Sequence, residues 1–260
     1  MNRFTDDLKE WNIEISDEQI EMFDKYTSLL LEWNEKINLT AITDINDIYK
    51  KHYLDSVSLI KCDVRINDDY SLIDYLYNAS SDMSNKSDIS FDNLSLLDLG
   101  TGAGFPGIPL KIMFPSLNIT LADSLNKRID FLNLVIEELG LKDIKAIHAR
   151  AEDLAHDEEY REQYDLVVSR AVANLSVLSE YCIPFVKQGG YFIPYKSGNS
   201  SEEITSAKNA IGMLGGKLIK SFDFVLPDTD YSRTNICIRK IKSTEDRFPR
   251  KAGTPSKKPL

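Results

Sequence analysis

The sequence predicts an α/β protein in which a helical N-terminal extension precedes a mostly parallel, seven-stranded sheet with helices on both faces. From Leu94 onward, short apolar segments alternate with helix-length segments, which is typical of parallel strands joined by helices. A glycine-rich turn follows the first of these strands and opens a helix. The last two strands follow each other without a helix between them, which indicates an antiparallel strand at the edge of the sheet.

Residues 1–62 are expected to form the helical N-terminal subdomain. A capping-box pattern at Ser16 predicts a first helix that runs to about Glu35, because apolar residues behind the cap keep a helical period. The run Asn38-Leu-Thr40 breaks that period. A second helical stretch is expected from about Asp47 to Ile60.

Residues 94–243 are expected to form the sheet and its covering helices. The predicted strands are Leu94–Leu99, Asn118–Asp123, Ile144–His148, Tyr164–Ser169, Tyr191–Tyr195, Lys217–Val225 and Asn235–Ile241. The predicted helices are Gly107–Phe114, Leu125–Leu139 with Ser124 as cap and Gly140 as terminator, Leu175–Val186, and Glu202–Leu214 closed by Gly215.

Charge is unevenly distributed along this acidic chain, whose formal net charge is -10. Residues 63–93 mix Ser, Asn and Asp with little periodicity, which predicts an acidic loop or linker. Residues 244–260 are expected to form a basic C-terminal tail, and the stretch 239–260 carries eight basic side chains against two acidic ones. An RNA partner therefore stays possible despite the acidic total, because phosphate-binding side chains are concentrated at one end.

Composition predicts a folded protein with one main core, since 42% of its 260 residues are hydrophobic and 28% are charged. No run approaches the ~18 apolar residues of a spanning helix, so we expect a cytoplasmic protein without a membrane partner. Cys62, Cys182 and Cys237 lack CxxC spacing, so neither a disulfide framework nor a metal site is expected. A monomer is the default expectation.

The most informative stretch is the glycine loop Leu96-Leu-Asp-Leu-Gly-Thr-Gly-Ala-Gly-Phe-Pro-Gly107. Its glycines Gly100, Gly102 and Gly104 permit a sharp turn and a close approach of backbone to ligand, which predicts a cofactor pocket. Gly102-x-Gly104-x-x-Gly107 also matches the dinucleotide fingerprint, so a NAD-dependent oxidoreductase is an alternative. Asp98 favours S-adenosylmethionine, because a carboxylate beside the loop would repel a pyrophosphate and attract a sulfonium and an ammonium group.

Two further acids follow predicted strands at the same edge of the sheet. Asp123 ends the second strand, nineteen residues after Gly104, where it can accept hydrogen bonds from both ribose hydroxyls. Ala151 and Glu152 follow the third strand, where an adenine would lie across the carboxyl edge. Because both cofactors contain a ribose and an adenine, these residues alone do not separate them.

Several blocks outside the loop resemble one family, the bacterial 16S ribosomal RNA guanine-N7 methyltransferases (RsmG, also called GidB). The matching blocks are Asn38-Leu-Thr-Ala-Ile-Thr43, Lys51-His-Tyr-Leu-Asp-Ser56, Asp123-Ser-Leu-Asn-Lys-Arg128, Ser169-Arg-Ala-Val172 and the tail from Pro249. The resemblance implies a Rossmann-like class I methyltransferase fold with S-adenosylmethionine as cofactor. It also implies cofactor contacts at Gly100, Phe105, Ala151, Glu152 and Arg170.

The same resemblance implies that the partner is 16S ribosomal RNA or the small ribosomal subunit. It also implies a reaction that needs no general base, since guanine N7 carries a lone pair and no proton. Candidates for positioning the substrate are Asn38, His52, Arg170 and Lys196, with the Arg247–Lys258 tail as a further phosphate contact. His148 and His156 are expected to be structural or on the surface. A non-catalytic RNA-binding module is the third class that stays open.

Overall fold

A computed structural model describes residues 3–78, 94–170, 173–198 and 200–260. These residues form a seven-stranded sheet with the order β3-β2-β1-β4-β5-β7-β6. The strands are β1 Ser95–Leu99, β2 Asn118–Asp123, β3 Ile144–His148, β4 Tyr164–Arg170, β5 Val186–Ser197, β6 Gly216–Val225 and β7 Ser232–Lys240. Strands β1 to β5 pair in parallel, and β7 runs antiparallel to both β5 and β6. The predicted class I methyltransferase arrangement with its antiparallel seventh strand is confirmed.

Helices precede the sheet and cover both of its faces. The described helices are α1 Arg3–Glu10, α2 Asp17–Ile37, α3 Ile45–Ile48, α4 Asp55–Val57, α5 Leu72–Asn78, α6 Gly107–Met113, α7 Asn126–Glu138, α8 Ala151–Leu154, α9 Leu175–Cys182, α10 Ser201–Met213 and α11 Thr254–Lys257. A π-helical turn, Tyr49–Leu54, joins α3 to α4, and a 3-10 turn, Ser58–Lys61, follows α4. The second predicted helical stretch is thus one continuous segment with a π turn at His52.

The two faces of the sheet bury separate apolar clusters, because successive side chains of a strand point to opposite sides. Leu96 of β1 belongs to the cluster that contains α1, α2, α6 and α7. Leu97 and Leu99 belong to the cluster that contains α9, α10 and Phe248 of the C-terminal segment. The N-terminal helices therefore share a core with the sheet, so their positions relative to the glycine loop are determined by packing.

An aromatic cluster joins the N-terminal helices to each other and to the glycine loop. Phe4 of α1 lies 5.2 Å from Phe23 of α2, measured between ring centroids, in an edge-to-face arrangement. Tyr53 stacks on Tyr26 at 5.4 Å, and Tyr26 in turn lies 5.7 Å from Phe105 of the loop. Aromatic pairs prefer particular stacked or edge-to-face arrangements, so they fix the relative orientation of the elements that carry them. The extension is therefore attached to the loop through a continuous series of rings.

Several predicted boundaries change in the structure. The prediction of a loop over 63–93 is wrong for Leu72–Asn78, which form α5, and residues 79–93 lie outside the described residues. Ser124 does not cap α7; instead the backbone N–H of Leu125 donates to the Asp123 carboxylate at 3.0 Å. Helix α9 ends at Cys182, earlier than expected, because Pro184 cannot donate the backbone hydrogen bond that would continue it.

The beginning and the end of the chain also differ from expectation. Helix α1 has no counterpart among the predicted elements, although Phe4 and Leu8 have helical spacing and are both buried. At the other end, Phe248 is buried and Lys240 is 1% exposed, so part of the basic segment belongs to the core. Strand β5 is longer than predicted, running from Val186 to Ser197.

Candidate functional site

A cleft of about 660 Å³ lies at the carboxyl ends of β1, β2 and β4. Ligands of open α/β sheets bind at this edge, where the strand order reverses on either side of the first strand. The volume is within the range of pockets that hold small molecules. The walls contain Leu39, Thr40, His52, Leu99, Gly100, Thr101, Gly102, Ala103, Phe105, Ala122, Asp123, Ser124, Arg128, Ala149, Arg150, Ala151, Glu152, Ser169, Arg170, Leu178 and Tyr181.

The glycine loop forms the floor of this cleft, and its backbone conformation favours glycine over residues that carry a side chain. Gly102 has φ +64° and Gly104 has φ +103°, both in the left-handed region. A Cβ on Gly104 would come within 2.8 Å of the Tyr26 hydroxyl, so this position is also closely packed. A Cβ on Gly102 would meet nothing within 4 Å, which leaves its backbone open toward the cleft.

Asp98 supports the loop from behind. Its Oδ2 accepts hydrogen bonds from the Thr101 hydroxyl at 2.6 Å and from the Gly107 N–H at 2.8 Å, while Oδ1 has no partner among the described residues. The side chain is fully buried and does not line the cleft. The structure therefore corrects the expectation that Asp98 faces the ligand. Burial raises the pKa of its carboxyl to about 6.

Asp123 lies at the end of β2 and lines the cleft, as predicted. Its carboxylate accepts a hydrogen bond from the Gly102 N–H at 3.0 Å and forms an ion pair with Arg128 at 3.1 Å. With the bond from the Leu125 N–H, the carboxylate is held by three donors of the chain. These contacts fix its position, and a carboxylate has lone pairs enough to accept further donors from a ligand.

Glu152 and Ala151 begin α8 and line the same cleft on the side of β3. The Glu152 carboxylate accepts a hydrogen bond from the Gly253 N–H at 3.2 Å, and the hydroxyl of Tyr181, another wall residue, lies 3.1 Å from that of Ser256. The C-terminal segment is therefore in contact with the cleft.

One buried ion pair and a set of arginine–carbonyl hydrogen bonds hold that C-terminal segment in place. Arg250 donates to both carboxylate oxygens of Glu180, at 2.8 and 2.6 Å, and Glu180 is fully buried. Arg161 donates to the carbonyl oxygens of Phe248 and Thr244 at 2.9 Å each. Planar, two-bond pairs of this kind fix orientation as well as distance. Arg250 is thus committed to the fold and is not a free cation.

Phe105, His52 and Arg170 form a compact group at the other end of the cleft. The His52 ring stacks on Phe105 with centroids 4.4 Å apart, and the Arg170 guanidinium lies 5.0 Å from the centre of the same ring. Arg170 also donates to the Asp55 carboxylate at 2.9 Å and contacts His52 Nδ1 at 3.1 Å. Burial, reinforced by the Arg170 charge, lowers the pKa of His52 to about 3, so its imidazole is neutral.

A second cavity of about 580 Å³ adjoins the cleft and shares His52 and Arg170 with it. Lys196 and Arg233 line this second cavity, but both are ion-paired: Lys196 with Glu203 at 2.7 Å, and Arg233 with Asp55 at 2.9 Å. Asp55 therefore bridges two arginines. The cationic side chains of this cavity are therefore held in fixed positions by carboxylates.

Comparison with known proteins gives a family. A family model described as rRNA small subunit methyltransferase G (GidB) matches residues 19–75 and 64–226. Ribosomal RNA small subunit methyltransferase G of Lachnoclostridium phytofermentans is 48% identical over 258 residues, which cover 99% of this chain and 96% of that protein. The protein of the same name from Lactococcus lactis subsp. cremoris is 47% identical and covers 100% of this chain and 98% of its own length. The chain belongs to the rRNA small subunit methyltransferase G family.

Likeness to solved structures is weaker than likeness to these relatives. The structure of M. jannaschii TYW2 in complex with AdoMet aligns with 59% of this chain and 72% of that one, at 18% sequence identity and a TM-score of 0.46. Such a distant likeness has no bearing on function. None of the described helices has the length and apolar character needed to cross a membrane. Within the described ranges, no group of His, Cys, Asp or Glu side chains is arranged to hold a metal ion.

The cleft of this rRNA small subunit methyltransferase G family member brings together most of the residues predicted from sequence. Those that line it are Gly100, Gly102, Phe105, Asp123, Ala151, Glu152, His52 and Arg170. Gly104 is not among the walls of the cleft and packs closely against Ile108 and Tyr26, and Lys196 lines the second cavity. Asn38 is not brought to the described walls of either cavity; it is the exposed C-cap of α2, with φ 51°.

Among the polar wall residues that sequence reasoning did not single out are Thr40, Arg128, Tyr181 and Arg233. Thr40 and Arg128 lie inside blocks that resemble the family, so that resemblance could have found them. Tyr181 and Arg233 come from α9 and β7 and are brought there only by the fold. His148 and His156 bind the backbone carbonyl oxygens of Ser124 and Pro249, each at 3.0 Å, which agrees with the structural roles expected of them.

Replacing Asp98 with Asn should change how stability depends on pH. The folded-state pKa of about 6 lies above the ordinary pKa of an aspartate, 3.8, so the unfolded chain loses this proton first and the native state loses stability as pH rises toward and through 6. From pH 5 to 7.5, the unfolding free energy of the wild type should fall by about 1 kcal/mol relative to Asp98→Asn. Urea unfolding of both proteins at several pH values measures this difference. A difference independent of pH would show that Asp98 keeps an ordinary pKa.

Proposed function

We propose that this protein transfers a methyl group from S-adenosylmethionine to N7 of a specific guanine in small-subunit (16S) ribosomal RNA. Membership of the rRNA small subunit methyltransferase G family supports the substrate class. The observation that carries the proposal is that two cavities adjoin each other. One is the cleft whose floor is the glycine loop, the other is the second cavity lined by Lys196 and Arg233, and they meet at His52 and Arg170. The first would hold the methyl donor and the second the nucleotide, whose target base would enter the first cavity at this junction to meet the methyl group. We propose further that the protein acts as a monomer in the cytoplasm.

The volume of the cleft, its open backbone at Gly102 and the carboxylate acceptors in its walls suit S-adenosylmethionine. Gly102 has open space where a side chain would stand, so the ligand can approach the backbone there. Asp123 would accept hydrogen bonds from the ribose hydroxyls, and Ala151 with Glu152 would lie beside the adenine. Gly100 and Phe105 would border the amino-acid end. When bound, this cofactor supplies an electrophilic methyl group on a sulfonium.

Asp98 would act on the cofactor through the loop rather than by contact. Its carboxylate binds the Gly107 N–H and the Thr101 hydroxyl, and in this way it sets the loop backbone on which the cofactor rests. The charge argument that favoured S-adenosylmethionine over a dinucleotide therefore weakens, since Asp98 lies behind the loop. Family membership now carries that choice instead.

The chain would provide orientation rather than proton transfer. Guanine N7 attacks with an in-plane lone pair, so no base is required, and the neutral His52 has no proton-transfer task. Holding nucleophile, methyl carbon and leaving sulfur in line can lower a barrier by roughly 7 to 11 kcal/mol. Arg170 is well placed for this work, because Asp55 and His52 hold its guanidinium at the junction of the two cavities.

The direct test is transfer of labelled methyl from S-adenosylmethionine to small-subunit particles, or their RNA, that lack this methylation. We expect label in 7-methylguanosine after digestion to nucleosides. Label in another nucleoside would overturn the guanine-N7 assignment and keep the methyltransferase. A non-catalytic RNA-binding module would bind RNA without taking up cofactor, and an oxidoreductase would be protected from unfolding by NAD rather than by S-adenosylhomocysteine.

Asp123→Asn should weaken cofactor binding, and it should also lower stability, because the amide nitrogen would face a backbone N–H that the carboxylate now accepts. The amide keeps the size of the side chain but removes the charge and half of the acceptors for ribose hydroxyls, and lost bonds to a charged group cost about 1.5 to 3 kcal/mol. We expect the Kd for S-adenosylhomocysteine to rise about 10-fold to 100-fold, measured by calorimetry. Asp130→Asn, on the exposed face of α7, is the matched control. Equal affinities in the two variants would remove Asp123 from the cofactor site.

We propose that exposed lysines of the C-terminal segment contact RNA phosphates. Deleting residues 247–260 is not a clean test, because Phe248 and Arg250 belong to the fold. Replacing Lys251, Lys257 and Lys258 with Ala should lower the salt slope of RNA binding by up to about 2, since each single-strand phosphate contact contributes about 0.7. The slope comes from RNA affinity measured over a range of salt concentrations.

A matched control replaces three exposed lysines that line neither cavity, Lys142, Lys208 and Lys217. This variant removes the same net charge and should leave the slope near the wild-type value. If both triple variants lower the slope equally, the lysines act through net charge alone and the segment has no specific role.

A further inference from the structure

Thr40 occupies a place in the cleft that the methyl-transfer proposal leaves without a role. It follows the C-cap of α2 and lines the cleft beside His52, at the end where Phe105 and Arg170 meet. The backbone N–H of Thr40 donates to Asn34 Oδ1 at 2.8 Å, so its position is fixed by the last turns of α2. Its hydroxyl therefore enters the cleft from a rigid support.

The hydrogen bonds of His52 determine what that hydroxyl can do. A guanidinium has only donors, so the contact of Arg170 Nη2 with His52 Nδ1 at 3.1 Å requires an unprotonated Nδ1. The neutral imidazole then carries its proton on Nε2. That nitrogen lies 2.9 Å from Thr40 Oγ1, and in this tautomer it is the donor and the hydroxyl oxygen the acceptor.

A second donor takes the other lone pair of the same hydroxyl. The backbone N–H of Ile42 donates to Thr40 Oγ1 at 3.0 Å. A hydroxyl has two acceptor lone pairs and one proton, so both lone pairs are used and the proton is left. The described residues supply no acceptor for that proton. Thr40 is thus restricted to donating, and the open side of its hydroxyl is the cleft.

We propose that the Thr40 hydroxyl donates a hydrogen bond to O6 of the target base and so selects guanine over adenine. The inference rests on the proposed guanine-N7 function. N7 and O6 of guanine lie next to each other on one edge of the base, so a group that meets O6 stands beside the reacting nitrogen. Adenine carries an amino donor at that position, which would oppose a hydroxyl able only to donate. A site built to bond one polar group rejects the base that lacks it.

The test is a cycle that pairs one protein change with one base change. Thr40→Val removes the hydroxyl at nearly constant shape, and 2-aminopurine at the target position removes O6 while keeping N7. For the wild type, we expect guanine to exceed 2-aminopurine in kcat/KM by about 10-fold more than it does for Thr40→Val, in line with the loss of one hydrogen bond. Differences in the intrinsic reactivity of N7 cancel, because both proteins meet the same two bases.

Two further variants make the result interpretable. Thr40→Ser keeps the hydroxyl and should keep the wild-type ratio, while Thr43→Val changes an exposed threonine of the same loop and should also leave the ratio unaltered. If Thr40→Val does not fold, Thr40→Ala takes its place in the same cycle, since it also lacks the hydroxyl and its comparison with the wild type still cancels the intrinsic reactivity of N7.

The outcomes separate this inference from the proposed function. If the wild type forms no 7-methylguanosine, the proposed function fails before the cycle begins. If it does form 7-methylguanosine but the cycle ratio is one, the function stands and the role of Thr40 is wrong. A rise in the KM for S-adenosylmethionine in Thr40→Val, with unchanged base preference, would place the hydroxyl against the cofactor and would likewise overturn the inference.

Discussion

The whole site depends on one constraint, the conformation of the turn between β1 and α6. Glycines in the left-handed region allow this turn. Because glycine is also free to adopt many other conformations, contacts from residues outside the turn must stabilise this one. Asp98 holds it from the sheet side by accepting from the Gly107 N–H. Tyr26 of α2 holds it from the opposite side, where its buried hydroxyl donates to the Ala103 carbonyl oxygen. A loop fixed in this way presents its backbone to a ligand at little entropic cost on binding.

This constraint explains why the helical extension and the sheet share a core. The extension supports the loop through Tyr26, and it also supplies the wall that faces the loop, through Thr40 and His52. The π turn at Tyr49–Leu54 is part of the same arrangement, since π turns often reposition side chains at functional sites. Stacking of His52 on Phe105 then joins the two walls. The extension is therefore as much a part of the site as the sheet is.

Buried carboxylates resolve the conflict between an acidic chain and an RNA substrate. Asp55 binds Arg170 and Arg233, and Glu180 binds Arg250, so these acids orient cations instead of repelling RNA. Removing one member of such a buried pair leaves an uncompensated charge and is more costly than losing a surface pair. Net charge alone is thus a poor guide to partners here, because it counts buried, paired carboxylates equally with exposed ones.

The sequence by itself determined the sheet, its antiparallel edge, the glycine loop and most of the cleft, since strand periodicity and glycine spacing are local properties of the chain. It also determined the family, through blocks spread along its whole length. Only the tertiary structure decided that Asp98 supports the loop from behind, that Asn38 caps a helix outside both cavities, and that Arg233 pairs with Asp55. Those outcomes depend on which distant residues meet and which side chains are buried, and a hydrogen-bond partner 178 residues away leaves no local pattern.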